Sequence, residues 1–89
     1  MEEIVVQNVI PNDEIGALVE YIARNLVDDP DSVKVVSKKT EDAVLVELTV
    51  SKDDMGKVIG KQGRIAKAIR TVVRAASVKS ETKYVVEIV

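Results

Sequence analysis

The sequence predicts an α+β fold, a three-stranded sheet with helices packed on one of its faces. Apolar residues recur with helical spacing in two long segments, and β-branched or period-two runs mark three strands, so the element order is α-β-β-α-α-β. Helices and strands that share a chain of 89 residues, 46% of them apolar, are expected to form one layered domain. We expect that domain over residues 13–89, preceded by an N-terminal extension, residues 1–12.

The first helix is predicted to begin near Glu14 and to end before Pro30. Asn12 and Asp13 are residue types that cap a helix, and Glu14 favours the first turn. The β-branched stretch before it, residues 4–10, would be an added edge strand or a partner-binding tail. The apolar stripe of the helix is Ile15, Leu18, Val19, Ile22, Ala23 and Leu26.

Three strands are predicted over residues 33–39, 43–50 and 83–89. The first two are joined by residues 40–42, a connection of hairpin length. In the second strand, alternate positions share one face and should point to the core: Val44, Val46, Leu48 and Val50.

Two further helices lie between the second and third strands. Residues 51–54 supply a cap for a short helix over 55–59, residues 60–63 interrupt it, and a longer helix follows over 64–78. Gly56 is interpreted as allowing close packing of the short helix. Ile65, Ile69, Val72, Val73 and Ala76 fall on one side of the longer helix, and Arg64, Lys67, Arg70, Thr71 and Arg74 fall on the other.

Charge is distributed unevenly along the chain. Residues 55–80 contain no acidic residue and carry a charge of +7, whereas the whole chain is −2, so the remaining residues sum to −9. A solvated helix usually interleaves Glu with its Lys and Arg, and this window does not. The pattern favours an anionic partner at one place on the surface. The basic residues of the window are Lys57, Lys61, Arg64, Lys67, Arg70, Arg74 and Lys79.

The Gly60-Lys61-Gln62-Gly63 sequence is suited to holding phosphate. Gly60 can leave the short helix with positive φ, and Gly63 allows close approach of a bulky partner. Gly63 also precedes a helix, whose first N–H groups attract anions, and Lys61 adds a positive charge. Together these residues predict a cradle for a phosphodiester backbone, lined by apolar side chains that would face bases.

The run VIGKQGRI, residues 58–65, resembles the signature of a KH domain, whose GXXG loop clamps about four nucleotides of single-stranded nucleic acid. The element order resembles the type II arrangement, and residues 18–23, 26–30, 56–64 and 69–76 resemble the small single-KH proteins of the KhpA type. The predicted RNA-binding residues are Lys57, Val58, Ile59, Gly60, Lys61, Gln62, Gly63, Arg64, Ile65, Lys67, Arg70 and Arg74. The edge of the strand over 43–50 would offer backbone hydrogen bonds to bases.

The resemblance covers residues 15–89 and implies a cytoplasmic protein that binds single-stranded RNA as an RNA chaperone or post-transcriptional regulator. It also implies a homodimer, or pairing with a KH protein of the KhpB/Jag type. The alternative is a protein-interaction module or a ribosome-associated KH-like factor.

An enzyme is not expected. The chain has no histidine and no cysteine, so the commonest general base, thiolate metal ligands and disulfides are excluded. Gly56 to Lys61 falls one residue short of a phosphate-binding G-x-x-x-x-G-K motif, and Gln62 stands where Ser or Thr would bind magnesium. We expect no catalytic residue, metal site or cofactor, and no membrane span. The two aromatic residues, Tyr21 and Tyr84, are predicted in the core or at its rim.

Overall fold

The computed structural model describes residues 14–78 and 80–89, and the predicted N-terminal extension lies outside the described residues. Within the described part the order of elements is α-β-β-α-α-β, and the predicted fold class is confirmed. The helices are α1 (Glu14–Arg24), α2 (Met55–Ile59) and α3 (Arg64–Ala76), and the strands are β1 (Lys34–Lys39), β2 (Val44–Thr49) and β3 (Tyr84–Ile88). Short 3-10 turns occupy Pro30–Ser32, Lys52–Asp54 and Lys61–Gly63.

The sheet has the order β1-β2-β3, which corrects one expectation. β2 pairs antiparallel with β1, from Lys34 opposite Thr49, and parallel with β3, from Val44 opposite Tyr84. A parallel pair needs a crossover, and α2, the 60–63 loop and α3 provide it. Because β2 is central and both of its edges are paired, it cannot offer backbone hydrogen bonds to bases as predicted. The edges of the sheet are β1 and β3.

The core lies between the helices and one face of the sheet. Leu48 and Val46 of β2 are completely buried, and Val19 of α1, Val58 of α2 and Val73 of α3 meet them at exposures of 2% or less. The predicted inward face of β2 is confirmed in full, since Val44, Val46, Leu48 and Val50 are all buried. The packing of α1 and α3 on this face sets the direction in which the α2–α3 loop points.

Some apolar residues are more exposed than their pattern predicts. The buried residues of α3 are Ala66, Ile69 and Val73. The helix ends at Ala76, two residues earlier than predicted. Val72 is 41% exposed, although the helical pattern assigned it to the core side. Tyr21 is 68% exposed and is therefore not a core or rim residue.

The described helices include none that is both long enough and apolar enough to cross a membrane.

Candidate nucleic-acid interface

The α2–α3 loop has an unusual backbone at three of its four residues. Gly60 has φ 79° and ψ 171°, Gln62 has φ 58°, and Gly63 has φ 76°. Gln62 is the one non-glycine residue with positive φ in the described part of the chain. A left-handed conformation costs an L-residue about 1–2 kcal/mol, so the loop holds Gln62 in a conformation that its own chemistry disfavours. The loop is thus a tight positive-φ turn on which the side chains of Lys61 and Gln62 are exposed.

Gly60 is required for a second reason, which is space. A Cβ atom at Gly60 would lie 2.6 Å from Cγ1 and 2.8 Å from the backbone nitrogen of Ile65. The end of α2 therefore packs directly on the first turn of α3. At Gly63 a Cβ atom would meet nothing within 4 Å, so glycine is favoured there only because φ is positive. Gly56 is exposed, and a Cβ atom there would also meet nothing within 4 Å. The interpretation of Gly56 as a close-packing residue is therefore wrong.

Several backbone N–H groups of the loop are used within the protein. The N–H of Gly60 donates to the carbonyl of Gly56 at 2.8 Å, and that of Gly63 donates to the carbonyl of Gly60 at 3.1 Å. The N–H of Arg64 donates to the carbonyl of Lys61. These bonds hold the turn together, and they leave fewer N–H groups around residues 60–64 for phosphate than the sequence suggested.

The predicted apolar contacts divide between core and surface. Ile59 is 37% exposed and Ile65 is half-buried, so both can reach a ligand beside the loop. Val58 is completely buried and anchors α2 in the core, which leaves it no surface for a base.

Lys57 is a predicted RNA-binding cation that the structure places in an ion-pair cluster. Its Nζ lies 3.0 Å from Oδ2 of Asp28 and 3.5 Å from Oδ1 of Asp54. The hydrogen bond to Asp28 and the charges of both carboxylates raise the pKa of Lys57 above 10.5 despite partial burial. The positive charge of Lys57 is therefore matched by acidic side chains of the protein itself.

Asp54 connects this cluster to the core. It is 2% exposed, and its Oδ2 accepts hydrogen bonds from the Asp29 N–H at 3.0 Å and the Ser51 hydroxyl at 3.1 Å. Burial alone would raise the pKa of Asp54, but the N–H donors of Asp29 and Asp28, the Ser51 hydroxyl and Lys57 together bring it below 3.8. Asp54 thus fastens the start of α2 to the α1–β1 connection. Its side chain makes no hydrogen bond that caps α2, although capping is what the sequence predicted.

The basic residues of α3 lie on two sides of the helix. Arg64 borders an apolar groove of about 370 Å³ between α1 and α3, together with Ile65 and Val72. Arg70 and Arg74 border a different cleft, of about 280 Å³, between α3 and β3. Lys67 is exposed and precedes Arg70 by about one helical turn. The stripe predicted as one cationic track is therefore divided, and Lys79 lies outside the described residues.

Three residues near these surfaces were missed by the sequence analysis: Asp28 and Asp54, which neutralise Lys57, and Lys83, which borders the α3–β3 cleft. Asp28 and Lys83 lie far along the chain from the residues they approach, so no local pattern marks them. Asp54 is three residues from Lys57, but its bond to the Asp29 N–H joins residues 25 positions apart. Among the described residues no group of three or more acidic side chains is placed to hold a metal ion.

Comparison with known proteins finds relatives over most of the chain. A family model described as KhpA/KhpB, KH domain, matches residues 16–88. The chain is 61% identical over 72 residues to the RNA-binding protein KhpA of Clostridium perfringens, a match that covers 81% of this chain and 96% of the relative. It is 52% identical over 75 residues to RNA-binding protein KhpA of Caldanaerobacter subterraneus, covering 84% of this chain and all of the relative.

RNA-binding protein KhpA of Bacillus subtilis is 51% identical over 71 residues, which is 80% of this chain and 88% of the relative. No solved structure matches the chain significantly.

Proposed function

Because the chain belongs to the KhpA/KhpB KH-domain family, we propose that it binds single-stranded RNA through the loop of residues 60–63, without catalysing a reaction. The single observation that carries the proposal is the positive-φ turn that presents the exposed side chains of Lys61 and Gln62. The names of the relatives state RNA binding and no catalytic activity. We take residues 13–89 to be one KH domain that works in the cytoplasm.

Positive side chains and backbone N–H groups of the loop hold the RNA phosphates, and apolar side chains beside the loop contact the bases. Lys61 and Arg64 are exposed and attract phosphates, and the first N–H groups of the Lys61–Gly63 turn have no partner within that turn. Ile59 and Ile65 form an apolar floor for one or two bases. Lys67 extends the positive surface by one helical turn. Lys57 contributes through its link to Asp28 and Asp54, which positions α2, rather than as a phosphate ligand.

Binding of this kind is weak in base preference and sensitive to salt. Each phosphate contact with single-stranded nucleic acid contributes about 0.7 to the slope of log affinity against log salt concentration. Contacts from Lys61, Arg64 and Lys67 therefore predict a slope of about −2. A clamp that reads backbone more than bases suits broad RNA targets, which supports a role as RNA chaperone or post-transcriptional regulator.

The test is charge reversal in the loop against charge reversal elsewhere. Lys61→Asp, alone and with Gln62→Asp, should abolish the binding of a four-nucleotide oligoribonucleotide, since carboxylates would face phosphate. Lys34→Asp is the matched control, because Lys34 pairs with exposed Thr49 on the sheet face opposite the helices. Binding is measured by fluorescence anisotropy, and circular dichroism checks the fold. Unchanged affinity in the loop variants would refute the proposal.

Pairing of two KH domains is the second part of the proposal, and the apolar groove between α1 and α3 favours it. Ala68 and Val72 line the groove at the turns of α3 beyond Ile65, and Val72 is 41% exposed. We propose that a second copy of the chain covers this groove, or that a KhpB/Jag-type KH domain does. Two linked clamps gain affinity through effective concentration, which a single weak clamp lacks.

Val72→Glu should shift the protein towards monomer in sedimentation-velocity runs, because a carboxylate would enter an apolar contact. Thr71→Glu, one residue away and exposed, is the control. A wild-type protein that stays monomeric at high concentration would refute self-pairing.

A further inference from the structure

We infer that the N-terminal extension of this chain covers the apolar groove between α1 and α3 of the same molecule, with residues 4–10 as the covering segment. The family model matches residues 16–88, so it does not include this segment. The inference rests on the proposed pairing of two copies only for its consequence. A groove covered from within the chain is closed to a second copy, so the extension sets how readily two copies pair.

The groove is an open apolar surface on the helical side of the domain. It has a volume of about 370 Å³, and apart from Arg64 its lining is apolar. Val72 is 41% exposed, and Ile22 and Leu26 are only half-buried. An apolar segment that removes these side chains from water lowers the free energy of the protein.

Residues 4–10 supply apolar side chains for that purpose. Five of these seven residues are valine or isoleucine, and the exceptions are Gln7 and Asn8. The run and the groove belong to one chain, so each meets the other at an effective concentration of the order of mM. A second copy of the chain has to compete with that concentration, which favours the chain's own extension as the occupant.

The length of the extension and the place where it joins the domain fit the groove. The extension joins α1 at Glu14, and Ile22 lies about 12 Å further along the helix axis. A chain spans at most about 3.3–3.6 Å per residue, so the four residues from Ile10 to Glu14 reach about 13 Å. The two residues after Ile10 are proline and asparagine, which favour the turn that such a path needs.

The charge at the groove favours an acidic occupant. Of the described residues that line it, Arg64 alone is charged, and its side chain is exposed. The ion pairs among the described residues involve other cations, so no carboxylate of residues 14–78 or 80–89 lies within 4 Å of the Arg64 guanidinium. Glu2 and Glu3 precede the apolar run, and residues 1–12 contain no basic side chain. The eleven residues from Glu3 to Glu14 span up to about 36 Å, so these carboxylates reach Arg64.

The outer face of the sheet is the other apolar surface that the extension could cover, and its charge is unsuitable. Val36 and Val85 are 37% and 36% exposed there. Glu47 lies opposite Val36 on β1 and opposite Glu87 on β3. Two neighbouring carboxylates repel a segment that begins with two glutamates. The groove between α1 and α3 is therefore the favoured place.

A spin label tests the contact directly. The chain has no cysteine, so Gln7→Cys in the full chain accepts one nitroxide label without loss of an apolar side chain. Broadening of backbone amide signals in NMR spectra should be strongest at Ala68 and Val72. Strongest broadening at Val36 and Val85, or broadening spread evenly over the domain, would overturn the inference.

A mixed sample separates contact within one chain from contact between two chains. Spin-labelled protein without isotope is mixed with isotope-labelled protein that carries no spin label. The amide signals of Ala68 and Val72 should then stay sharp. Broadening of these signals in the mixture would assign the extension to the groove of a second copy and refute the contact within one chain.

Self-pairing is measured by sedimentation velocity. Val6→Asp combined with Ile10→Asp should strengthen pairing at least about tenfold, which corresponds to a groove that is free in about one wild-type molecule in ten. Gln7→Asp combined with Asn8→Asp is the matched control, because it adds the same charge to the run and removes no apolar side chain. A Val6/Ile10 variant that pairs no more tightly than this control would refute the proposed regulation. If wild type and both variants stay monomeric, the proposed pairing fails, while the spin label still decides whether the extension covers the groove.

Discussion

Replacing Gly60 by alanine should destabilise the protein far more than the same change at Gly63, although both belong to one four-residue loop. At Gly60, φ 79° with ψ 171° lies in a region that is essentially reserved for glycine, and an L-residue there costs of order 2 kcal/mol. The new Cβ would also lie 2.6–2.9 Å from Cγ1, N and Cβ of Ile65. Two of those atoms cannot swing aside, so overpacking adds about 2 kcal/mol.

At Gly63 the calculation is different. Its φ of 76° and ψ of 13° are left-handed helical values, which cost an L-residue about 1 kcal/mol, and no atom lies within 4 Å of the added carbon. The expected loss is therefore about 4 kcal/mol for Gly60→Ala and about 1 kcal/mol for Gly63→Ala. A chain of 89 residues has a free energy of unfolding of roughly 4–13 kcal/mol, so the first variant should be close to unfolding.

Urea denaturation followed by circular dichroism at 222 nm measures both free energies of unfolding. The slope of the free energy of unfolding against urea concentration should be the same in Gly63→Ala as in wild type, which would show that the variant changes stability and not the surface exposed on unfolding. A Gly60→Ala protein whose loss lies within about 1 kcal/mol of that of Gly63→Ala would refute the argument, since the close approach to Ile65 would then carry no energetic weight.

Two further predictions concern α2 and its connection to the core. Gly56→Ala should raise the free energy of unfolding by about 0.5–1 kcal/mol, because an exposed helical glycine gives way to a better helix former with room around it; a loss in urea denaturation would contradict this. Asp54→Asn should lower the melting temperature at neutral pH. The pKa of Asp54 is depressed, so its contribution is complete above 3.8 and is lost as pH falls through the folded-state pKa. The gap between wild type and Asp54→Asn should therefore narrow below pH 3.8; a gap that is constant down to pH 2 would contradict that assignment.

The types of the elements could be predicted because each one buries a regular set of side chains. β2 shows period two in Val44, Val46 and Leu48, and all three are buried. α2 begins and ends where its flanking residues predicted, at Met55 and Ile59. Glycine at two of the four loop positions was also informative, because positive φ is costly for other residues.

The position of β2 inside the sheet could not be predicted in the same way. Period two shows which face of a strand is buried, but it does not show which strands lie beside it. The hairpin places β1 on one side of β2, and the crossover through α2 and α3 places β3 on the other. Likewise the bond from Asp29 to Asp54 joins residues 25 positions apart, and no local spacing encodes it.

The absence of acid from residues 55–80 has a physical explanation once the surroundings of α3 are known. The helix must bury Ala66, Ile69 and Val73 against the sheet. One flank borders the groove with α1, whose lining apart from Arg64 is apolar, so a carboxylate there would lose hydration. The other flank borders the α3–β3 cleft, where a carboxylate would pair with the cations that surround it and cancel their charge. The carboxylates that this part of the fold does need, Asp28 and Asp54, come from outside the window and are used to neutralise Lys57.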